Sequence, residues 1–355
     1  MHRQKHKQTD SPRNKEYEAQ THVHPMGEDE RSIVTSAPGK CILFGEHAVV
    51  YGQPAVAVAI EQRLTVTLSP ANSWSVDGSA LHPLKHPHIT TLRDLYLNEQ
   101  AAPLAIHIQA DIPRASGLGS SAALSAAVGA AFHALTYPED EVDRTLLSER
   151  AHQAEAQAQH GRASPMDTST SVEGGVVVLS NQRESVGTWA YTRTLTTPEG
   201  ERSWQVHRLE APPDAVFLVL GNTGIHAPTA HQVAMVAETL RLKPERMNEI
   251  EAIGSVARRG LEALVAGEYE AVGHAMSENH LLLRGLGVSS PELENLIQAA
   301  LPTSLGVKLT GAGGGGCMVA LTRQPKETSE AIELAGGRTL ISRIGNVGVR
   351  LERRT

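Results

Sequence analysis

The sequence predicts a protein of mixed strands and helices, strand-rich to about residue 212 and helix-rich beyond it. Three observations carry that reading. Arg63–Leu68 and Leu104–Ile112 alternate apolar and polar residues, as half-buried strands do. Val233, Val236, Ala237 and Leu240 form one apolar stripe at helical spacing, and Met247, Ile250, Ile253, Ala257, Leu261 and Leu264 form a second. Between the strand ending at Ile112 and an Ala-rich helix lies the loop Pro113, Arg114, Ala115, Ser116, Gly117, Leu118, Gly119, Ser120, Ser121, Ala122. Its glycines let the backbone approach a ligand, and its serines sit at unpaired helical N–H groups, a place for phosphate oxygens. No Gly-Lys-Ser/Thr follows, so it is not a Walker loop.

The 355 residues suffice for two domains, and a 3% aromatic content leaves the core to Ala, Val, Leu and Ile. A net charge of −7 gives no reason to expect nucleic acid as a partner. No apolar run reaches the roughly 18 residues of a membrane span, and the polar N-terminus lacks the apolar stretch of a signal peptide. Cys41 and Cys317 have no metal-ligand spacing, so they are expected to be reduced thiols in a cytoplasmic protein.

In chain order, residues 1–30 hold too few apolar groups to offset ordering and are expected to be a disordered tail, with Met26 an alternative start. Ser32–His47 reads as two short strands broken at Pro38-Gly39. Ala55–Ile60 and Arg63–Leu68 read as two more, with a short strand around Trp74. His82, His86 and His88 could hold a metal only without helical spacing, and no carboxylate or thiol flanks them. Residues 89–98 read as a helix. Helices to about Leu135 and from Asp140 to Gln159 precede a polar loop, Arg162–Thr170, that holds one acid, Asp167. A strand at Gly174–Leu179, a polar hairpin and a strand at Ala215–Leu220 close the first part. After the helical stretch come strand Val307–Leu309, the loop Gly311–Gly316, strand Cys317–Leu321, a helix and two closing strands.

Three segments together resemble the GHMP kinases (galactose, homoserine, mevalonate and phosphomevalonate kinases). Ala37–Gly52, with Lys40-Cys-Ile-Leu-Phe-Gly-Glu-His-Ala-Val-Val50, is similar to the first family motif, in the form found in the mevalonate kinase branch. Pro113–Ala123 is similar to the phosphate-binding motif and Lys308–Cys317 to the third. Gly161–Thr168 and Ser277-Glu-Asn-His-Leu-Leu-Leu283 also resemble that branch. The likeness runs from about residue 33 to the end. It implies a two-domain α+β fold, residues 31–212 and 213–355, with the active site in the cleft between them.

The resemblance implies ATP-dependent phosphorylation of the primary 5-hydroxyl of mevalonate, on the way to isoprenoids. Asp167 matches the family's catalytic base and Lys40 the lysine beside it. Glu46, His47, Thr229 and Gly313 fall at substrate-side positions, and Pro113–Ala122 at the ATP phosphates. Ser121 matches the serine that binds Mg²⁺. The family's metal glutamate would fall at Ala156; here Glu155 lies one residue earlier, about 100° away around a helix. The segment Ile225-His-Ala-Pro-Thr229 also departs from the commoner family pattern, with His226 in place of a lysine. A sibling kinase (mevalonate 3-kinase, phosphomevalonate kinase or sugar kinase) and a non-catalytic sensor on the same fold are the alternatives. Family members are often dimers, so a homodimer is the assembly the resemblance suggests.

Overall fold

The structure is a computed structural model and describes residues 32–113, 116–161, 163–197, 200–210 and 216–354. The expected tail with Met26, the loop residues Arg114 and Ala115, Arg162, the boundary near 212 and the start of the strand placed at Ala215 lie outside them.

The first sheet is built on two long strands, β1 (Ile33–Phe44) and β2 (Ala55–Pro70). Both were expected as pairs of short strands, and both run through the supposed breaks. At Pro38-Gly39 the β1–β2 register shifts between Pro38 and Lys40, so Gly39 is taken up as a bulge. The bulge brings the Lys40 N–H to the carbonyl of Leu118 at 2.9 Å, joining the first motif to the Gly-Ser loop. In β2 the polar pair Glu61-Gln62 is a docking point: the Glu61 N–H donates to Ser342 Oγ at 2.9 Å and the Gln62 amide to the Ile341 carbonyl at 3.1 Å.

Around this pair the sheet adds β3 (Ser75–Val76), β4 (Ser79–Ala80), β5 (Leu104–Ala110), β6 (Val176–Ser180), β7 (Thr188–Thr197) and β8 (Gly200–Leu209), in the order β4-β3-β5-β2-β6-β8-β7 with β1 on β2. Trp74 precedes β3 rather than lying within it.

Against this sheet pack α1 (Pro87–Tyr96), α2 (Ser120–Thr136), α3 (Arg144–Ala158) and α4 (Met166–Glu173). Helix α2 is buried on nearly every side, which its small residues permit, and Thr35 of β1 donates to its Ala127 carbonyl at 2.8 Å. Helix α4 replaces the loop expected at Arg162–Thr170. It shows no apolar stripe because Thr168, Ser169, Thr170 and Ser171 are all buried. Three of these hydroxyls find partners indoors: Thr168 donates to the Pro165 carbonyl at 3.3 Å, Thr170 to the Met166 carbonyl at 2.8 Å, and Ser169 Oγ accepts from Tyr191 at 3.0 Å. Ser171 Oγ is buried with no hydrogen-bond partner among the described residues.

The second sheet is antiparallel, β10 (Gly306–Thr310), β11 (Cys317–Thr322), β9 (Phe217–Asn222) and β12 (Arg338–Arg343), in that order. Its helices are α5 (Thr229–Leu242), α6 (Met247–Ala266), α7 (Tyr269–Gly285), α8 (Pro291–Ala300) and α9 (Pro325–Leu334). The α6 stripe is buried as expected apart from a half-buried Met247, whereas Ala237 of the α5 stripe is exposed.

The closing strand β13 (Arg350–Arg354), expected with the second part, pairs antiparallel with β1. The chain end thus ties the two halves together, because β1 still has a free edge beside Ile33–Ser36. At the other end of β1, Thr310 of β10 bonds both the N–H and the carbonyl of Ile42, at 3.0 and 3.1 Å.

Candidate active site

Lys40, Asp167 and the Gly-Ser loop meet where β1, α4 and α2 converge. The Lys40 ammonium lies 3.2 Å from Asp167 Oδ1; its side chain is 4% exposed, that of Asp167 41%. Asp167 stands in the first turn of α4, where the helix dipole favours a negative charge. Gly119 has φ +77°, and a Cβ there would lie 2.8 Å from Lys40 Cγ. Glycine therefore lets the lysine stem cross the mouth of α2 to reach the carboxylate.

The loop ahead of α4 is held by His152. Its Nε2 donates to the Ala163 carbonyl at 2.9 Å, while Nδ1 accepts from Arg193 Nε at 3.0 Å. Burial, with help from Arg193, pushes the His152 pKa down to about 4 despite that carbonyl. A depressed histidine pKa means the unfolded chain binds the extra proton first. Its stabilisation is complete above the unfolded value near 6.5 and is lost as pH falls towards 4. The gap corresponds to about 3 kcal/mol. Urea melts between pH 7 and 4 should show stability declining through this window, with a shallower decline in His152→Gln; parallel curves would show that another group governs it.

Glu155 reaches Ser121 in spite of its shifted position. Helix α3 ends in a C-terminal wrap in which the Gly161 N–H donates to the Ala156 carbonyl at 2.7 Å and His160 takes φ +54°. Burial opposes ionisation of Glu155, but His88, Ser121 and Gln159 together hold its carboxyl below the usual glutamate range. Gln159 donates to Oε2 at 2.7 Å and His88 Nε2 lies 3.4 Å from it. Oε1 is buried with no hydrogen-bond partner among the described residues. An anionic oxygen left bare beside a serine suits a divalent cation. Among the described residues no group of three or more His, Cys, Asp or Glu could hold a metal. An ion here would be bound by Glu155, Ser121, nucleotide oxygens and water, a set Mg²⁺ accepts.

On the substrate side a small cleft is lined by Ser116, Gly117, His226, Thr229, Ala312 and Gly313, among others. Thr229 is the exposed first residue of α5. Gly313 has φ +83°, and a Cβ there would fall 2.0 Å from the Val288 carbonyl oxygen. His47, itself at φ +61°, donates from Nε2 to the Ala312 carbonyl at 2.9 Å. Burial pushes its pKa below the usual histidine value, although Ala312 and Glu46 pull the other way. Glu46 lies beneath the cleft rather than in it. Its side chain is 1% exposed, one carboxylate oxygen is paired with Lys308, and the other accepts from Asn279 at 3.2 Å.

Reading the sequence brought Lys40, Asp167, Ser121, Glu155, His47, Thr229 and Gly313 to notice. It did not give roles to Lys308, Asn279 or His88, although each stands in a segment quoted above. Gln232, buried one turn after Thr229 and packed under Gly314, carried no signal at all.

The fold and its two glycine loops define a GHMP kinase: residues 88–175 match the GHMP kinases N terminal domain and residues 261–339 the GHMP kinases C terminal domain. The mevalonate kinase of Methanothermobacter thermautotrophicus is 38% identical over 297 residues, 80% of this chain and 88% of that protein. The structure of Methanococcus jannaschii mevalonate kinase has a TM-score of 0.70 at 25% identity, covering 90% of this chain and 100% of the other. A Streptococcus pneumoniae phosphomevalonate kinase also scores 0.70, at 20% identity over 89% of this chain and 100% of its own, so shape alone does not select the branch. The chain belongs to the mevalonate kinase family and is a phosphotransferase.

Proposed function

We propose that this enzyme transfers the γ-phosphoryl group of ATP to the primary 5-hydroxyl of (R)-mevalonate, a step of isoprenoid synthesis. The observation that supports this most directly is the Lys40–Asp167 pair, set at the edge of the Gly-Ser loop. Phosphoryl transfer asks the protein to position the groups and neutralise charge. Asp167 accepts the hydroxyl proton as the oxygen attacks phosphorus, while Lys40 orients the carboxylate and offsets charge gathering on the phosphoryl oxygens. Gly117–Ala122 and the N-terminus of α2 cradle the phosphates. Mg²⁺ held at Ser121 and Glu155 would neutralise phosphate charge. His47, Thr229 and Gly313 shape the mevalonate side. We place the enzyme in the cytoplasm, in keeping with two buried free thiols whose pKa values burial pushes up to about 11 for Cys41 and about 12 for Cys317. Among the described residues no helix is long and apolar enough to cross a membrane.

An ADP-release assay across mevalonate, phosphomevalonate, galactose and homoserine tests the substrate. Turnover with mevalonate far above the rest is expected; preference for any other would overturn the assignment. For the metal, Glu155→Gln should raise the Mg²⁺ concentration needed for half-maximal rate more than it raises the mevalonate KM. An unchanged Mg²⁺ dependence would remove Glu155 from the metal site.

A further inference from the structure

We infer that Lys308 and Asn279 are positioning residues for the substrate side of the cleft, and that Glu46 is their anchor rather than a group touching the substrate. The inference rests on the mevalonate assignment above. Its starting point is an ion pair that the chemistry leaves unused. Lys308, with a side chain 0% exposed, lies in β10 and pairs with Glu46 in the turn after β1. No part of either charged group reaches the cleft.

The segment Ser277-Glu-Asn-His280 of α7 explains how the pair is built. Strand β10 is an edge strand, so its outward N–H groups need partners other than a neighbouring strand. Ser277 Oγ accepts from Val307 N at 3.2 Å, and His280 Nδ1 from Leu309 N at 3.3 Å. His280 Nε2 in turn faces Glu294 Oε1 at 3.0 Å. The edge is thereby fixed on both sides of Lys308. Between these two residues, Asn279 turns to the other half of the molecule. Its Oδ1 accepts from Gly45 N at 3.4 Å and its Nδ2 donates to Glu46 Oε2 at 3.2 Å.

Both oxygens of Glu46 are thus bound by the second half, and the next residue is His47, at φ +61°. A non-glycine residue held there is strained and persists only when its surroundings fix it. The clamp fixes Gly45 and Glu46, and so sets where the His47 imidazole meets Ala312. Loosening it displaces His47 and the Ala312-Gly313 backbone together. Of the Gly-Ser loop, Ser116 and Gly117 border this cleft, whereas the Lys40–Asp167 pair and the N-terminus of α2 lie elsewhere along β1 and α2.

Calorimetry of mevalonate binding without nucleotide, together with KM values, tests this in Lys308→Met, Asn279→Ala and Glu46→Gln/Lys308→Met. Misplacement of a positioning loop is worth on the order of 10–100-fold. Mevalonate Kd and KM should rise by that much in all three, with the ATP KM close to wild type. Lys308→Met leaves a buried carboxylate alone and could fail to fold. The charge-free double variant should melt closer to wild type and still bind mevalonate weakly. Native mevalonate affinity in that double variant would reduce the pair to a structural role and overturn the inference. So would weak binding confined to the double variant with Lys308→Met and Asn279→Ala normal, which would make Glu46 a direct ligand, or an equal loss of ATP affinity. Wild-type calorimetry comes first. No mevalonate binding there would sink the substrate assignment instead, and the same variants would then be read with whichever alcohol the substrate panel selects.

Discussion

Asp167→Asn should lower kcat by about 10²–10⁴-fold, the usual worth of a general base. The amide keeps the size of the carboxylate but cannot take the proton. Mg-ATP affinity should change little, because the phosphate contacts are assigned to Gly117–Ser121. Lys40→Met should also cut kcat. The double variant should be far less than multiplicatively worse, since a paired lysine and aspartate act as one unit. Rapid-quench single turnovers with trapped Mg-ATP give kcat for the chemical step alone. An Asn variant with near-normal turnover and a lowered melting temperature would make Asp167 a helix-start residue and nothing more.

Gly313→Ala should have the second large effect, on fold and activity together. The left-handed backbone alone costs a non-glycine residue roughly 1–3 kcal/mol. At Gly313 the new methyl would also lie 2.0 Å from the Val288 carbonyl oxygen, which cannot swing aside as a side chain can. Gly267, past the end of α6, isolates the first contribution: φ is +73° and nothing lies within 4 Å of its Cβ position. Gly267→Ala should cost only the backbone strain and leave kcat alone. Gly313→Ala should lose more stability and raise the mevalonate KM. Equal melting temperatures for the two variants would show that the loop yields at no cost.

The contrast between these glycines bears on what can be read from a sequence. Gly311–Gly316 was visible as a loop between strands, but the contact with Val288 that makes Gly313 irreplaceable is tertiary. Pro38-Gly39 looked like a break because proline lacks a donor and glycine bends freely. In the fold, a register shift absorbs both, and the strand continues into Lys40. Helix α4 was read as a loop because its buried face is made of Ser and Thr, three of whose hydroxyls are satisfied by carbonyls of its own first turn and by Tyr191. No hydropathy pattern marks such a face. The expected α2 and α6, by contrast, are recovered with close boundaries, since a continuous apolar pattern announces each.

Chemistry followed the same divide. Lys40, Asp167 and Ser121 sit in short motifs with fixed local spacing, and the fold brings them together. Glu155 was in doubt by one residue; in the fold its carboxylate stands beside Ser121, and α3 ends after it with His160 left-handed. The Glu46–Lys308 pair joins residues 262 positions apart. Both were in quoted motifs, but nothing in either motif says that they meet.

The position of the phosphate on the product tests the central proposal most directly. Mevalonate offers a primary hydroxyl at C5 and a tertiary one at C3. Phosphorus–proton correlation NMR of the product formed from mevalonate and Mg-ATP distinguishes them in one spectrum. Coupling of the phosphorus to the C5 methylene protons is the expected result, with the signal strongly reduced for Asp167→Asn at equal time. A phosphate on the C3 oxygen, or a C5 product formed equally fast by wild type and Asp167→Asn, would contradict it.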